Sequence, residues 1–384
     1  MRYGVSLTDK KRVLSLLKDL IATPSESPPG REIEVAKVLR EHLESHGISC
    51  VSVTPRESRP NLIFSTWEDQ KGSLVLHGHL DTVPVGPREN WNYDPFGAEI
   101  VDGRLYGRGA ADMKGPVAAL AEAMILYKEE KHSRPLVMLA TSDEESGCFG
   151  AEEVADSGLL QGVAWGVCAE PTGLNVLVGE KGTFWHRVVA EGKSAHGSRP
   201  HEGINAITLC MKALDVLTKP GYEYEPDELM GKSTTNVGKI SGGTKINVVP
   251  EYCEAEVDMR TVKGQTTEGL TDQMAKRLEA EGLSERVRVE YIHGKPTVVT
   301  PRDAEIVQVS INAVRKVTGR EPSPTAATFG TDCSVLQPRI GIVNVICGPG
   351  SIEQAHQPDE YIRVDELVQS VDVYLDIARN FTQD

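Results

Sequence analysis

The sequence predicts an α/β fold: a mixed, largely parallel sheet with helices on both faces, interrupted by a smaller βαββαβ module. Three observations carry this. Short, continuous apolar runs such as LVMLAT (136–141) and WGVCA (165–169) alternate with amphipathic helical stretches, the pattern of strands buried on both faces. Between 178 and 294 the rhythm changes to half-polar strands, as in CEAEVDMR, where Glu254, Glu256 and Asp258 share one face. After Gly294 the first rhythm returns. The expected organisation is a discontinuous larger domain, 1–177 and 295–384, and an inserted domain, 178–294.

The elements follow in order. Residues 8–21 place Val13, Leu14, Leu16, Leu17, Leu20 and Ile21 at helical spacing, with Thr8 as N-cap. Residues 31–46 repeat the pattern and stop at Gly47. PSESPPG (24–30) reads as a loop. Strands are predicted at 49–53, 61–66 and 73–77, a helix at 116–130, a strand at 136–141, a helix at 149–157 and a strand at 165–169. In the inserted segment, strand 183–191, helix 203–218, strands 234–240 and 252–260, helix 266–281 and strand 286–292 give the ferredoxin-like order β-α-β-β-α-β. Helix 303–318, strands 324–328 and 342–346, and helix 364–380 complete the chain.

Composition excludes several classes of function. The 384 residues carry 41 Lys+Arg against 56 Asp+Glu, a formal charge of −15. Such a surface repels phosphate backbones, so neither nucleic acid nor an anionic membrane is an expected partner. A chain with 39% hydrophobic and 25% charged residues is ordinary globular material. No apolar run approaches the ~18–20 residues that span a bilayer. The start, MRYGVSLTDKKRV, turns charged where a signal peptide is apolar. Seven cysteines, odd in number and without CxxC, read as reduced thiols of a cytoplasmic protein. The glycines of GRGAADMKG and ISGGT follow no nucleotide-binding pattern.

Five motifs carry chemistry. In VLHGHLDTVP, a strand runs into His77, His79 and Asp81 at i, i+2 and i+4, one face of a strand at its carboxyl end. Imidazole suits zinc and a nearby carboxylate can orient it; spacing alone does not choose between His77 and His79. Asp112 of LYGRGAADMKGP sits in a Gly-rich turn before a helix, where capping is the plainer reading. The acids of ATSDEESG follow a buried strand and need solvent or a cation. Glu170 of CAEPTG follows another apolar strand, and His356 of GPGSIEQAHQPDEY lies in a Gly/Pro-framed loop. Mixed nitrogen and oxygen donors without cysteine suit a catalytic zinc or cobalt site, with a spare carboxylate as base.

Together H-x-D-T-V-P, G-R-G-A-x-D-M-K-G, D-E-E, A-E-P-T, G-K-S-A-H-G-S-x-P-x-x-G-x-N-A and A-H-x-P-D-E resemble the M20 family of metallohydrolases, from about residue 10 to the C-terminus. That family contains acetylornithine deacetylases, succinyl-diaminopimelate desuccinylases, aminoacylases and carboxypeptidases; GPGSIEQAHQPDEY resembles the first of these. The resemblance implies that His79 and Glu170 bind one metal, Glu145 and His356 a second, and Asp112 both. It implies Glu144 as general base, Asp81 as the partner of His79, a cis peptide after Asp112, and His77 outside the ligand set. In the inserted domain His196 matches a lid histidine that reaches the partner subunit's site, against a plain surface-loop reading. Arg260 matches a substrate-carboxylate clamp, against a surface ion pair with an acidic neighbour. Asn247 would assist at the oxyanion or substrate, and the run 327–333, including Gly330, would line the pocket. Asp332 would hold a cationic side chain or cap a turn. The implied activity is removal of an acyl group from an N-acyl amino acid, acetylornithine deacetylase-like, by a homodimer paired through the inserted domain. A desuccinylase, a peptidase and a non-catalytic binding protein are the rivals.

Overall fold

The computed structural model describes residues 9–66, 74–132, 134–225 and 228–381. Thr8 and Ser73 lie outside them. The first helix, Lys10–Ile21, is capped by Asp9, whose carboxylate accepts the N–H groups of Lys11 (2.9 Å) and Arg12 (3.2 Å). The chain divides into two compact units, Met1–Gly179 with Thr300–Thr325 and Thr331–Asp384, and Glu180–Val299 with Ala326–Gly330. The division falls a few residues from the 178 and 294 read from the sequence rhythm, and it places Gly330 and Asp332 in different units.

In the first unit, strands Ser49–Val53, Asn61–Ser65, Leu136–Thr141, Leu74–His79, Trp165–Pro171, Val343–Gly348 and Leu177–Glu180 lie side by side in that order. The central four run parallel and the marginal ones antiparallel. Every residue of Leu74–His79 and of Leu136–Thr141 is buried, because helices cover both faces. On one face Val75, Val137 and Leu139 pack with Val154 of helix Phe149–Ser157 and Val335 and Leu336 of helix Cys333–Ile340. On the other lies helix Lys114–Glu129, apolar nearly all round and buried accordingly. Gly78 faces that helix, and a side chain there would strike the end of the Met113 side chain and touch Val117.

The second unit holds four antiparallel strands in the order Thr234–Gly242, Tyr252–Thr261, Gly182–Glu191, Val287–Lys295. Helices Ala206–Leu217 and Thr267–Ala280 share its core. Tyr252–Thr261 alternates as its sequence requires, with Cys253, Ala255, Val257 and Met259 buried and the acids and Arg260 on the other face.

Three local differences have physical causes. Helix Ala206–Leu217 starts three residues later than its periodicity suggests, where the Asn205 side chain accepts the Thr208 N–H (3.0 Å). Glu170 lies within strand Trp165–Pro171 and does not follow it. Helix Cys333–Ile340 lies between strands 324–328 and 342–346, where the sequence predicts no element; it is eight residues long and contains Pro338, too short and too broken for a periodic signal.

Candidate metal centre

The parallel strands end together, and their carboxyl ends collect the polar residues. His79 closes its strand, 1% exposed. Its Nδ1 lies 2.9 Å from the backbone carbonyl of Asp81 and 3.5 Å from Asp81 Oδ1. A carbonyl only accepts, so Nδ1 carries the ring proton and Nε2 is the nitrogen turned to the cluster. Nε2 stands 3.0 Å from Asp112 Oδ1, 3.6 Å from Glu170 Oε1 and 3.9 Å from Glu144 Oε2. The Asp81 carboxylate, fully buried, chiefly accepts the N–H groups of Glu144 and Glu145, each at 3.1 Å. It thereby fixes the loop that carries both glutamates, while its carbonyl orients His79.

Asp112 does not cap the following helix, whose N-cap Met113 also makes no side-chain cap bond. Its turn is held by Glu360, which accepts the N–H of Gly109 (3.0 Å), Ala111 (2.8 Å) and Asp112 (2.9 Å) and pairs with Arg108 (2.7 Å). The Asp112–Met113 peptide is cis. Asp112 Oδ1 faces His79 and Oδ2 faces His356 Nε2 at 3.4 Å; His356 Nε2 is also 3.0 Å from Glu145 Oε1. Ligand atoms of His79, Asp112 and Glu145, and those of His79, Glu144 and Glu170, lie within 4.8 Å of one another.

The electrostatics follow from burial. Burial raises Glu144 and Glu170 well above the usual carboxylate range, helped for Glu144 by the charges of Glu170 and Glu145 and for Glu170 by that of Asp112. Burial also raises Glu145, with the Asp112 charge adding to it. Burial alone would lower His79, but its hydrogen bonds to Asp112 and Asp81 and the nearby glutamates outweigh it and hold it well above an ordinary imidazole. His356, bonded to Asp112 and Glu145, is pushed up to about 10. The ion-pair partners of these four carboxylates are the two histidines. Such a donor set, hard oxygens and two imidazoles, withdrawn from water except at the exposed His356, fits divalent cations. Asp143, by contrast, turns away to Arg56, Arg59 and Ser27.

The other candidates have partners of their own. His77, fully buried, bonds Asn344 Oδ1 through Nε2 at 2.9 Å. Asp332, 2% exposed, accepts the Thr141 hydroxyl at 2.5 Å and forms no helix-cap bond with its side chain. In the second unit His196 is exposed, its Nδ1 accepting the Ser198 N–H at 3.1 Å. Asn247 is exposed in a turn, its carbonyl accepting the Gly197 N–H at 2.8 Å. Arg260 pairs through Nε with Asp258 at 3.0 Å, and Gly330 is half-buried. Sequence reasoning missed Glu360 and Arg108, although both stand inside the quoted motifs, in A-H-x-P-D-E and G-R-G.

Comparison with known proteins gives this arrangement a class: the chain is a metal-dependent hydrolase of amide bonds. Residues 75–380 match Peptidase family M20/M25/M40, and the chain belongs to that family. Acetylornithine deacetylase of Edwardsiella ictaluri (strain 93-146) is 32% identical over 385 residues, covering 96% of this chain and 98% of that protein. A probable succinyl-diaminopimelate desuccinylase of Staphylococcus epidermidis (strain ATCC 12228 / FDA PCI 1200) is 28% identical, with 96% and 98% covered. Among solved structures, an M20 family metallo-carboxypeptidase from Sulfolobus solfataricus has a similar fold, with a TM-score of 0.82, 21% identity and 96% and 99% coverage.

Proposed function

We propose that the chain is a two-metal amidohydrolase that deacylates N-acyl amino acids, acting as an acetylornithine deacetylase. The observation that carries it is the Asp112 carboxylate, whose two oxygens face different histidines. His79, Asp112 and Glu170 would hold one ion; Asp112, Glu145 and His356 the other. Zinc suits the donor set best, with cobalt as its substitute. When bound, the ions would polarise the amide carbonyl and acidify a water. Glu144, on the loop pinned by Asp81, takes the water proton and delivers it to the departing amine nitrogen. His196, acting across a homodimer paired through the second unit, donates to the oxyanion, and Asn247 supports it. Arg260 clamps the substrate α-carboxylate, and Gly330 lines the pocket. Asp332, which accepts the Thr141 hydroxyl and adds charge beside Glu144, would hold a cationic side chain of the substrate.

The acetyl assignment rests on the 32% identical relative, and the 28% identical one favours succinyl as the second reading. Among the described residues no helix is long and apolar enough to cross a membrane, and a cytoplasmic setting fits the reduced thiols. The test is a screen of N-acetyl, N-succinyl and N-formyl amino acids and dipeptides with the zinc- and cobalt-loaded enzyme. N-acetylornithine should be cleaved fastest; turnover of N-succinyl-diaminopimelate alone would replace the acyl group and keep the mechanism. Light scattering giving 41.8 kDa, the mass of one chain, would remove the dimer.

A further inference from the structure

We propose that His77, Cys168 and Cys333 form a separate, sulfur-containing site for a thiophilic divalent ion of the zinc class. The proposal rests on no step of the reaction above. Each of the three residues offers a donor atom, and these atoms lie within 4.8 Å of one another. His77 Nε2 is 4.0 Å from Cys333 Sγ and 2.9 Å from Asn344 Oδ1. The three side chains are 0%, 1% and 1% exposed. They come from three elements, strands Leu74–His79 and Trp165–Pro171 and helix Cys333–Ile340. Asn344 Nδ2 donates to the Ile342 carbonyl at 2.7 Å, which turns its Oδ1 toward His77 and supplies a fourth, oxygen donor.

Tetrahedral zinc, with bonds of ~2.3 Å to sulfur and ~2.0–2.1 Å to nitrogen, sets nitrogen and sulfur roughly 3.5 Å apart. A contraction of about half an ångström from the observed 4.0 Å closes that gap. On binding, both thiol protons leave to solvent and the imidazole proton passes from Nε2 to Nδ1, so that two thiolates and a neutral histidine meet the ion. The site lies behind the carboxylate cluster. His77 is two residues before His79, Cys168 two before Glu170, and Cys333 next to Asp332. An ion there ties together the elements that present those groups.

Cobalt separates the two centres, because none of the five residues proposed to hold the two ions (His79, Asp112, Glu145, Glu170 and His356) carries sulfur. The full chain, stripped with a chelator and with its thiols kept reduced, is titrated with Co²⁺ without oxygen. Wild type should develop a near-ultraviolet sulfur-to-cobalt charge-transfer band that zinc abolishes. Cys168→Ser and Cys333→Ser should each lose the band and bind one equivalent less, with circular dichroism reporting their folding. The absence of a band from fully reduced wild type overturns the site, as does a band that survives in both variants. Where a variant does not fold, the wild-type band decides.

Discussion

The carboxylates of Asp112, Glu144, Glu145 and Glu170 in the first unit and those of Glu254, Glu256 and Asp258 in the second are neutralised in different ways. The second set lies on the helix-free face of its sheet, about a third exposed. There Arg187 reaches Glu254 (3.5 Å) and Glu256 (3.2 Å), Lys239 reaches Glu256 (3.6 Å), and Arg260 reaches Asp258 (3.0 Å). Hydrogen bonding to Arg187 pulls Glu256 below the usual carboxylate range. In the first unit burial pushes Glu144, Glu145 and Glu170 the other way, and imidazoles are their ion-pair partners. The same residue types thus make a solvated charge ladder in one unit and a cation-demanding cluster in the other. What separates them is whether the strand beneath is covered on one face or two.

The sharpest way to break this contrast is to remove one acid from each set. Glu144→Gln should keep its metal and lose at least about 10²-fold in kcat, the low end of general-base catalysis. Glu256→Gln should leave turnover and melting temperature unchanged, since exposed pairs contribute little. Comparable activity in the two variants would erase the distinction. Next, Asp112→Ala should emerge from gel filtration with neither ion if, as proposed, one carboxylate serves both; two retained ions by elemental analysis would end that bridging role. Arg260 tests the border between the sets, being both a rung of the ladder and the proposed clamp. Arg260→Ala should erase most of the preference for N-acetylornithine over its α-amide, roughly ten- to 150-fold in kcat/KM for a lost charge-assisted bond of ~1.5–3 kcal/mol. Discrimination equal to wild type would leave Arg260 in the ladder alone.

The smallest effect concerns pH in the stripped protein. His356 rises from an ordinary 6.5 to about 10, so its contribution to stability is complete below pH 6.5 and is lost as the pH climbs through 10. The raised glutamates act with the same sign: their stabilising protons are lost as the pH rises. The chelated protein should therefore melt at progressively lower temperature between pH 7 and 10, more steeply than the zinc-loaded one. A flat or rising melting curve for the chelated protein would contradict the cluster's charge balance.

Most of the cluster was legible because a strand buried on both faces leaves a plain mark, an apolar run broken by a histidine or an acid. His79, Glu144 and Glu145 all follow that rule. Glu170 was legible as a residue but misplaced, since its strand runs on through Pro171. Glu360 was not legible as the support of Asp112, because accepting backbone N–H groups from a distant turn imposes no spacing on the sequence. Nor does a motif tell a carbonyl from a carboxylate: Asp81 orients His79 with the first and the glutamate loop with the second. The split βαβ order of the second unit was readable from alternation alone, whereas helix Cys333–Ile340 left too few residues to set a period.

The bonds between Glu360 and the Gly109–Asp112 turn bear on the order of events during synthesis. His79, Asp112, Glu145 and Glu170 all leave the ribosome before the second unit exists. Arg108 and the N–H groups of Gly109, Ala111 and Asp112 are answered by a carboxylate some 250 residues later, beside His356. A nascent chain therefore carries most of the proposed ligand set while the turn that aims Asp112 still lacks its anchor. The turn that presents Asp112 therefore cannot gain its carboxylate support until residue 360 has been translated, long after the strands it faces.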